Sequence, residues 1–207
     1  MFPERLTKGY RAFLEGRFTV ERGRYAALAD RGQSPSIMVI GCVDSRVSPE
    51  VIFDAAPGEI LVARNVANLV PRYEAGGGQH GASTALEFAV RALRVRHIVV
   101  LGHAFCGGIK AFASDAAPLS ESDFIGKWMS QIAPAADAIG PRRDDDDYLH
   151  KLEFASVELS LKNLMTFPFV ETAVERGELE LHGAYFGVAA GKLLVRNAQS
   201  GAFEAVN

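Results

Sequence analysis

Both cysteines of the chain sit in short, chemically loaded stretches, Cys42-Val-Asp44-Ser-Arg46 and His103-Ala-Phe-Cys106. Two thiolates and one imidazole supply three ligands suited to zinc, and a zinc on three protein ligands keeps one coordination position open for water. Asp44 and Arg46 follow the first cysteine at alternate positions, so both side chains can point into one crevice and pair. The chemistry this constellation offers is metal-assisted activation of water. A closed structural zinc would need a fourth ligand. His80, His97, His150 and His182 are the remaining histidines, and none has the local spacing for it. Free cysteines also serve as small buried hydrophobes, so the case for a site rests on where the elements put these two.

Those elements alternate. Pro3–Glu15 and Thr19–Asp30 read as two amphipathic helices. Ile37–Gly41 is an apolar run suited to a buried strand that ends at Cys42. Ser48-Pro49 opens a brief helix through Phe53, with Ser48 as N-cap and Pro49 at the first helical position. Ile60–Ala63 is a second strand, followed by a polar, glycine-rich loop from Asn65 to Gly78. Its Gly76-Gly77-Gly78 lacks the Lys-Ser/Thr of a phosphate loop and reads as a turn. Apolar positions at helical spacing run from His80 to Leu93. His97–Leu101 is the third strand, leading through Gly102 to His103 and then to a helix opened by Cys106. Ser122–Ala138 and Asp144–Met165 read as helices, the acids Asp144–Asp147 complementing the dipole at the start of the second. Glu178–Gly183 and Gly191–Arg196 are the last strands.

Strands alternating with helices predict an α/β fold with a mostly parallel central sheet of about four to five strands flanked by helices. The 207 residues form a single domain, with an N-terminal helical arm over residues 1–32 and a zinc-binding core over 33–207. Both cysteine motifs then fall at the carboxyl ends of strands, where open α/β sheets bind ligands. A net charge of −3 without a basic stripe excludes a nucleic-acid partner on electrostatic grounds. No apolar run is long enough to span a membrane. Charged residues stud the first turns of the chain, leaving no signal-peptide core. The expectation is the cytoplasm, where cysteines are metal-binding or catalytic more often than disulfide-bonded.

The stretches Met38–Pro49, Pro57–Asn68 and Gly102–Lys110 together make the chain resemble the β-class carbonic anhydrases from about Gln33 to Val188. The resemblance implies a zinc enzyme (carbonate dehydratase) that interconverts carbon dioxide and bicarbonate. One zinc per chain would be held by Cys42, His103 and Cys106, and a zinc-bound hydroxide would be oriented by the Asp44–Arg46 dyad. It also implies a dimer or tetramer, with the N-terminal helices and the Phe88 helix near the subunit interface. Gln33 stands where plant-like members carry a glutamine that reaches a neighbouring substrate pocket. Val39 and Phe186 stand where the other site type carries the tryptophan and tyrosine of an inhibitory bicarbonate site, while Arg64 is common to both. The chain therefore resembles the plant-like, open-site type. Gln33 or the Gly107 amide would bind a substrate oxygen. Leu61, Val66 and Phe88 match positions lining the apolar pocket, although core packing accounts for them equally well. Arg64, Asn65 and Asn68 would brace the loop around the site or a subunit contact.

Two other readings use the same residues: hydrolysis of carbon disulfide or carbonyl sulfide on this zinc, and a non-catalytic zinc-binding or thiol-redox module. The last gives Asp44 no task. No histidine is an obvious proton shuttle. Zinc on two thiolates and a neutral imidazole acidifies water less than an all-histidine site, where the value is about 7. Activity should therefore rise from neutral into mildly alkaline pH, and a pH–rate profile flat from acid to alkaline would contradict this.

Overall fold

The computed structural model describes residues 1–77, 80–114 and 117–206. The elements in chain order are α1 (Glu4–Glu15), α2 (Arg17–Arg31), β1 (Ile37–Cys42), α3 (Pro49–Ile52), β2 (Ile60–Asn65), α4 (Gly81–Glu87), β3 (His97–His103), α5 (Gly107–Ala113), α6 (Phe124–Met129), α7 (Ala133–Ile139), α8 (Asp146–Leu164), α9 (Pro168–Glu175), β4 (Glu180–Gly187), β5 (Lys192–Arg196) and β6 (Phe203–Ala205). The strands form one six-stranded sheet in the order β2-β1-β3-β4-β5-β6. The first three pairings are parallel and the last two antiparallel. The sheet is mostly parallel, as the alternation of elements predicts, with one strand more than the four to five expected. The chain leaves β1 to one side and crosses back over it to β3 on the other, so strand order reverses at β1. This is the topological switch point where such sheets bind ligands, and Cys42 ends that strand.

The core lies in two large clusters. Met38, Ile40, Ile98 and Val100 meet Leu86, Val157, Leu164 and Val170 in one. Cys42 and Cys106 belong to the other, with Val47, Leu69, Ile109, Met129, Ile132, Tyr148 and Leu152. The long helix α8 joins both. Its N-cap Asp145 accepts a hydrogen bond from the Tyr148 amide at 2.8 Å, so one member of the acidic run caps the helix. Further along, Ser160 Oγ accepts from the Val70 amide and Asn163 Nδ2 donates to the Val70 carbonyl. These bonds hold the chain after β2 against the helix.

Several boundaries differ from the periodicity, each for a local reason. The expected 122–138 helix divides into α6 and α7 across a tight turn at Ser130–Ile132. Pro134 at the start of α7 lacks the N–H that would continue the ladder. The apolar run after α4 continues from Phe88 to Leu93 as a wider π-type turn and stops at left-handed Arg94. At α3, Ser48 occupies the N-cap position but its hydroxyl bonds Glu50 at 2.8 Å instead of capping the helix. The periodicity does not predict helix α9 or strand β6, which are eight and three residues long. In the glycine-rich stretch, the Gly77 amide closes a turn onto Glu74, whereas Gly78 and Gln79 lie outside the described residues.

The arm is built differently from the body. Helices α1 and α2 contain no buried residue, and Phe13, Phe18 and Tyr25 clasp them together through ring contacts. Arg24 ties α2 to the Pro57 carbonyl and to Glu59. Phe2, Leu6, Tyr10 and Val20 remain exposed.

Gly102 sits in β3 directly beneath α8, where an added Cβ would lie 2.6 Å from Val157 Cγ2. Gly102→Ala should therefore lower unfolding stability by about 1–3 kcal/mol through overpacking. A denaturant midpoint equal to that of the parent would refute this account of the α8–β3 contact.

Candidate metal centre

β1 and β3 pair side by side in parallel, with Gly41 opposite Leu101, so the two strands deliver Cys42 and His103 to one edge. The turn after His103, with Phe105 at φ +58°, brings Cys106 back to cap α5. The Cys42 and Cys106 sulfurs and a His103 ring nitrogen lie within 4.8 Å of one another, and all three residues are buried. His103 Nδ1 is 2.9 Å from the Ala104 carbonyl. A carbonyl can only accept, so Nδ1 carries the proton and Nε2 bears the lone pair. That Nε2 is buried with no hydrogen-bond partner among the described residues. An orphaned ring nitrogen beside two sulfurs, its tautomer fixed by the opposite nitrogen, is the arrangement of a metal ligand. The S₂N donor set suits zinc.

Electrostatics in this pocket favour a cation. The neighbouring Cys106 thiol, with His103 and the amides of Asp44 and Ala67, outweighs burial and holds the Cys42 thiol well below its ordinary range. Cys106 is pushed up by that same neighbour and by burial, against the amides of Gly108 and Ile109 at the start of α5. The helix start does favour its thiolate, but the adjacent sulfur dominates. Burial opposes charging of His103, yet the Cys42 sulfur and the Ala104 carbonyl raise its pKa overall. Two sulfurs this close, one favoured as thiolate and the other as thiol, mark a place where a divalent ion would satisfy both.

The surrounding turns aim backbone donors at Cys42. The amide of Ala67 points at its sulfur from 3.4 Å and that of Asp44 from 3.5 Å. Ala67 and Asn68 adopt left-handed backbone, φ +62° and +49°. Asn65 pins this turn by bonding both the amide and the carbonyl of Leu69 at 2.8 Å. Arg64 donates to the carbonyls of Cys42 and Asp44, each at 2.7 Å. Arg64 and Asn65 thus brace the loop around the site within the chain. Gly108 allows α5 to close on this turn, since a Cβ there would lie 2.8 Å from Val66 Cγ1.

Asp44 and Arg46 form a tight pair. Asp44 Oδ1 accepts from the Arg46 amide at 3.0 Å and from Nε at 2.9 Å, and Oδ2 accepts from Nη2 at 2.7 Å. Nη2 also reaches the Phe105 carbonyl at 3.1 Å, which ties the dyad to the His103–Cys106 turn. The Arg46 hydrogen bonds hold the Asp44 carboxyl well below the usual carboxylate range despite partial burial. Each carboxylate oxygen accepts two bonds. Oδ1 is saturated and Oδ2 keeps one acceptor position.

The other candidates fall at different distances from this centre. Val66 packs with the cysteine cluster and Leu61 against the other large cluster. Phe88 is 48% exposed. Gly107 is the first residue of α5. Gln33 is exposed on the segment between the arm and β1. In a single chain Val66 is the pocket candidate that shares a cluster with the ligands. Val39 belongs to the small cluster on the other sheet face, whereas Phe186 packs against both that cluster and the cysteine cluster.

The sequence profile of the carbonic anhydrase family matches residues 37–193. The chloroplastic beta carbonic anhydrase 5 of Arabidopsis thaliana is 36% identical over 178 residues. The chain belongs to the β-carbonic anhydrases. That alignment covers 84% of this chain, which spans 58% of the relative's length. The solved β-carbonic anhydrase CcaA superposes with a TM-score of 0.90 at 29% identity, over 99% of this chain and 92% of that one. A tetrameric β-carbonic anhydrase of Sordaria macrospora gives 0.78 at 28% identity, over 97% of each chain.

This β-carbonic anhydrase carries one supporting group that sequence reasoning missed. Glu153 on α8 is buried; its Oε1 accepts from the Cys106 amide at 3.0 Å and its Oε2 from the Tyr185 hydroxyl at 2.6 Å. Burial first, and then the Glu153 carboxylate, push the Tyr185 phenol up, so it stays a donor. A glutamate on the apolar side of α8 was the available signal, since a charge at such a position needs a partner. Glu153→Ala would orphan both donors and loosen Cys106. Zinc affinity, read by chelator competition, should fall about 10–100-fold, and undiminished retention would exclude the supporting role.

Proposed function

We propose that this chain catalyses the reversible hydration of carbon dioxide to bicarbonate and a proton, with one zinc per chain held by Cys42, His103 and Cys106. The observation that carries this reading is the orphaned, tautomer-fixed Nε2 of His103 beside two buried sulfurs. Zinc bound there supplies an acidified water as nucleophile. The group has three donors among the described residues, which leaves the fourth position for that water and favours a catalytic over a closed structural site.

Asp44 gives the open position its geometry. With three bonds from Arg46, the carboxylate is anchored to the arginine, stays ionised and would not itself serve as a metal ligand. Its remaining Oδ2 acceptor takes a hydrogen bond from the attacking water and so directs the oxygen lone pair at the substrate carbon. This anchoring supports the open-site type, as does Val39 at the tryptophan position. The amide of Gly107, at the first position of α5, has no acceptor within the helix and can bond a developing oxyanion. Gln33 lies on the exposed link to the arm and would serve the site of a second copy.

Self-association as a dimer or tetramer fits an arm that buries no residue and exposes Phe2, Leu6, Tyr10 and Val20. The Sordaria macrospora enzymes assemble as tetramers. Ligand thiols require a reducing compartment, for which the cytoplasm is the simplest reading.

Zinc content and carbon dioxide hydration measured together test the proposal. Cys106→Ser should lose zinc and activity in parallel. Asp44→Asn should retain zinc while the hydration rate drops by about 10–100-fold. Full activity in protein stripped of zinc would overturn the assignment.

A further inference from the structure

A second group of metal-type donors lies at the opposite end of β3. His97 opens β3 and is paired in register with Glu180, the first residue of β4. His182 follows two positions along β4 and therefore projects from the same face as Glu180. His97 Nδ1 lies 3.2 Å from His182 Nε2. Glu180 Oε2 lies 3.5 Å from the first nitrogen and 3.6 Å from the second. His103 closes the same strand, so the two groups are separated by six residue steps, on the order of 20 Å.

The triangle has the dimensions of a coordination face. Zinc–nitrogen and zinc–oxygen bonds of about 2.0–2.2 Å at tetrahedral angles place neighbouring donor atoms about 3.3 Å apart. A proton bound at this point bridges only two of the three donors. A metal ion accepts a lone pair from each. Both imidazoles and the carboxylate stay partly open to solvent, so water can complete the coordination shell and the ion can exchange. An N₂O set of borderline donors selects zinc, nickel or copper over magnesium or calcium.

We propose that His97, Glu180 and His182 form a second, exchangeable site for a divalent transition metal, bridging β3 and β4 at the amino end of the sheet. Bound metal clips the two strands together at the edge remote from the catalytic crevice. Zinc alone serves as the probe. The full-length chain is brought to equilibrium with zinc by dialysis at neutral pH, and metal is counted per chain. The parent should bind one zinc more than His182→Ala and one more than His97→Ala, while both variants hydrate carbon dioxide at the parent rate. Cys106→Ser should keep this extra zinc, so failure of the Cys42–His103–Cys106 assignment reads out separately. Equal zinc counts in the parent and both histidine variants would overturn the proposal.

Discussion

Two sulfurs and a ring nitrogen buried within 4.8 Å of one another set the terms for the rest of this molecule. Removed from water, thiolates repel one another and an imidazole lone pair has nothing to bond. The chain answers with directed dipoles: amides from the Ala67 turn and from Asp44 on Cys42, and the start of α5 at Cys106. A bound cation would neutralise what remains. The switch-point topology, the left-handed turns at Ala67 and Phe105, and the close approach at Gly108 all serve this convergence. Backbone strain is tolerated at Ala67 because packing buries it, and at exposed Phe105 because Arg46 Nη2 holds its carbonyl.

Outside that centre the polar groups form a supporting frame. Arg64 fixes the carbonyls that follow β1, Arg46 fixes the Asp44 carboxylate, and Glu153 fixes the amide of Cys106. The Arg46 contact with the Phe105 carbonyl joins the two ligand motifs directly. Orientation of the dyad and placement of the ligands are therefore one mechanical property.

The legible parts of this protein were those encoded locally. Continuous apolar runs disclosed β1, β2 and β3, and glycine or cysteine at their ends disclosed the crevice edge. The clustering of Cys42, His103 and Cys106 and the Asp44–Arg46 pair were readable because their spacing is short and their residue types are chemically restrictive. Glu153 was not, because its partners come from α5 and β4, distant in sequence from α8. Left-handed Ala67 was equally silent, since alanine gives no turn signal and its geometry is imposed by Asn65 and Trp128, which bonds the Val66 carbonyl. Gln33 and Phe88, whose roles come from the resemblance and not from local spacing, are both exposed in the single chain. Helix α9 and strand β6 are held by tertiary contacts rather than by propensity.

The crossover that places β3 beside β1 also orders events in time. Cys42 reaches the other two candidate ligands only when β1 pairs with β3, and β2 lies in the connection between them. That closure of a long loop costs entropy before any contact between the strands repays it. His103 and Cys106 alone offer an ion two ligands on one turn. On the proposed assignment, tight metal capture would follow the pairing of β1 with β3, and a loaded site would report that pairing in its native register.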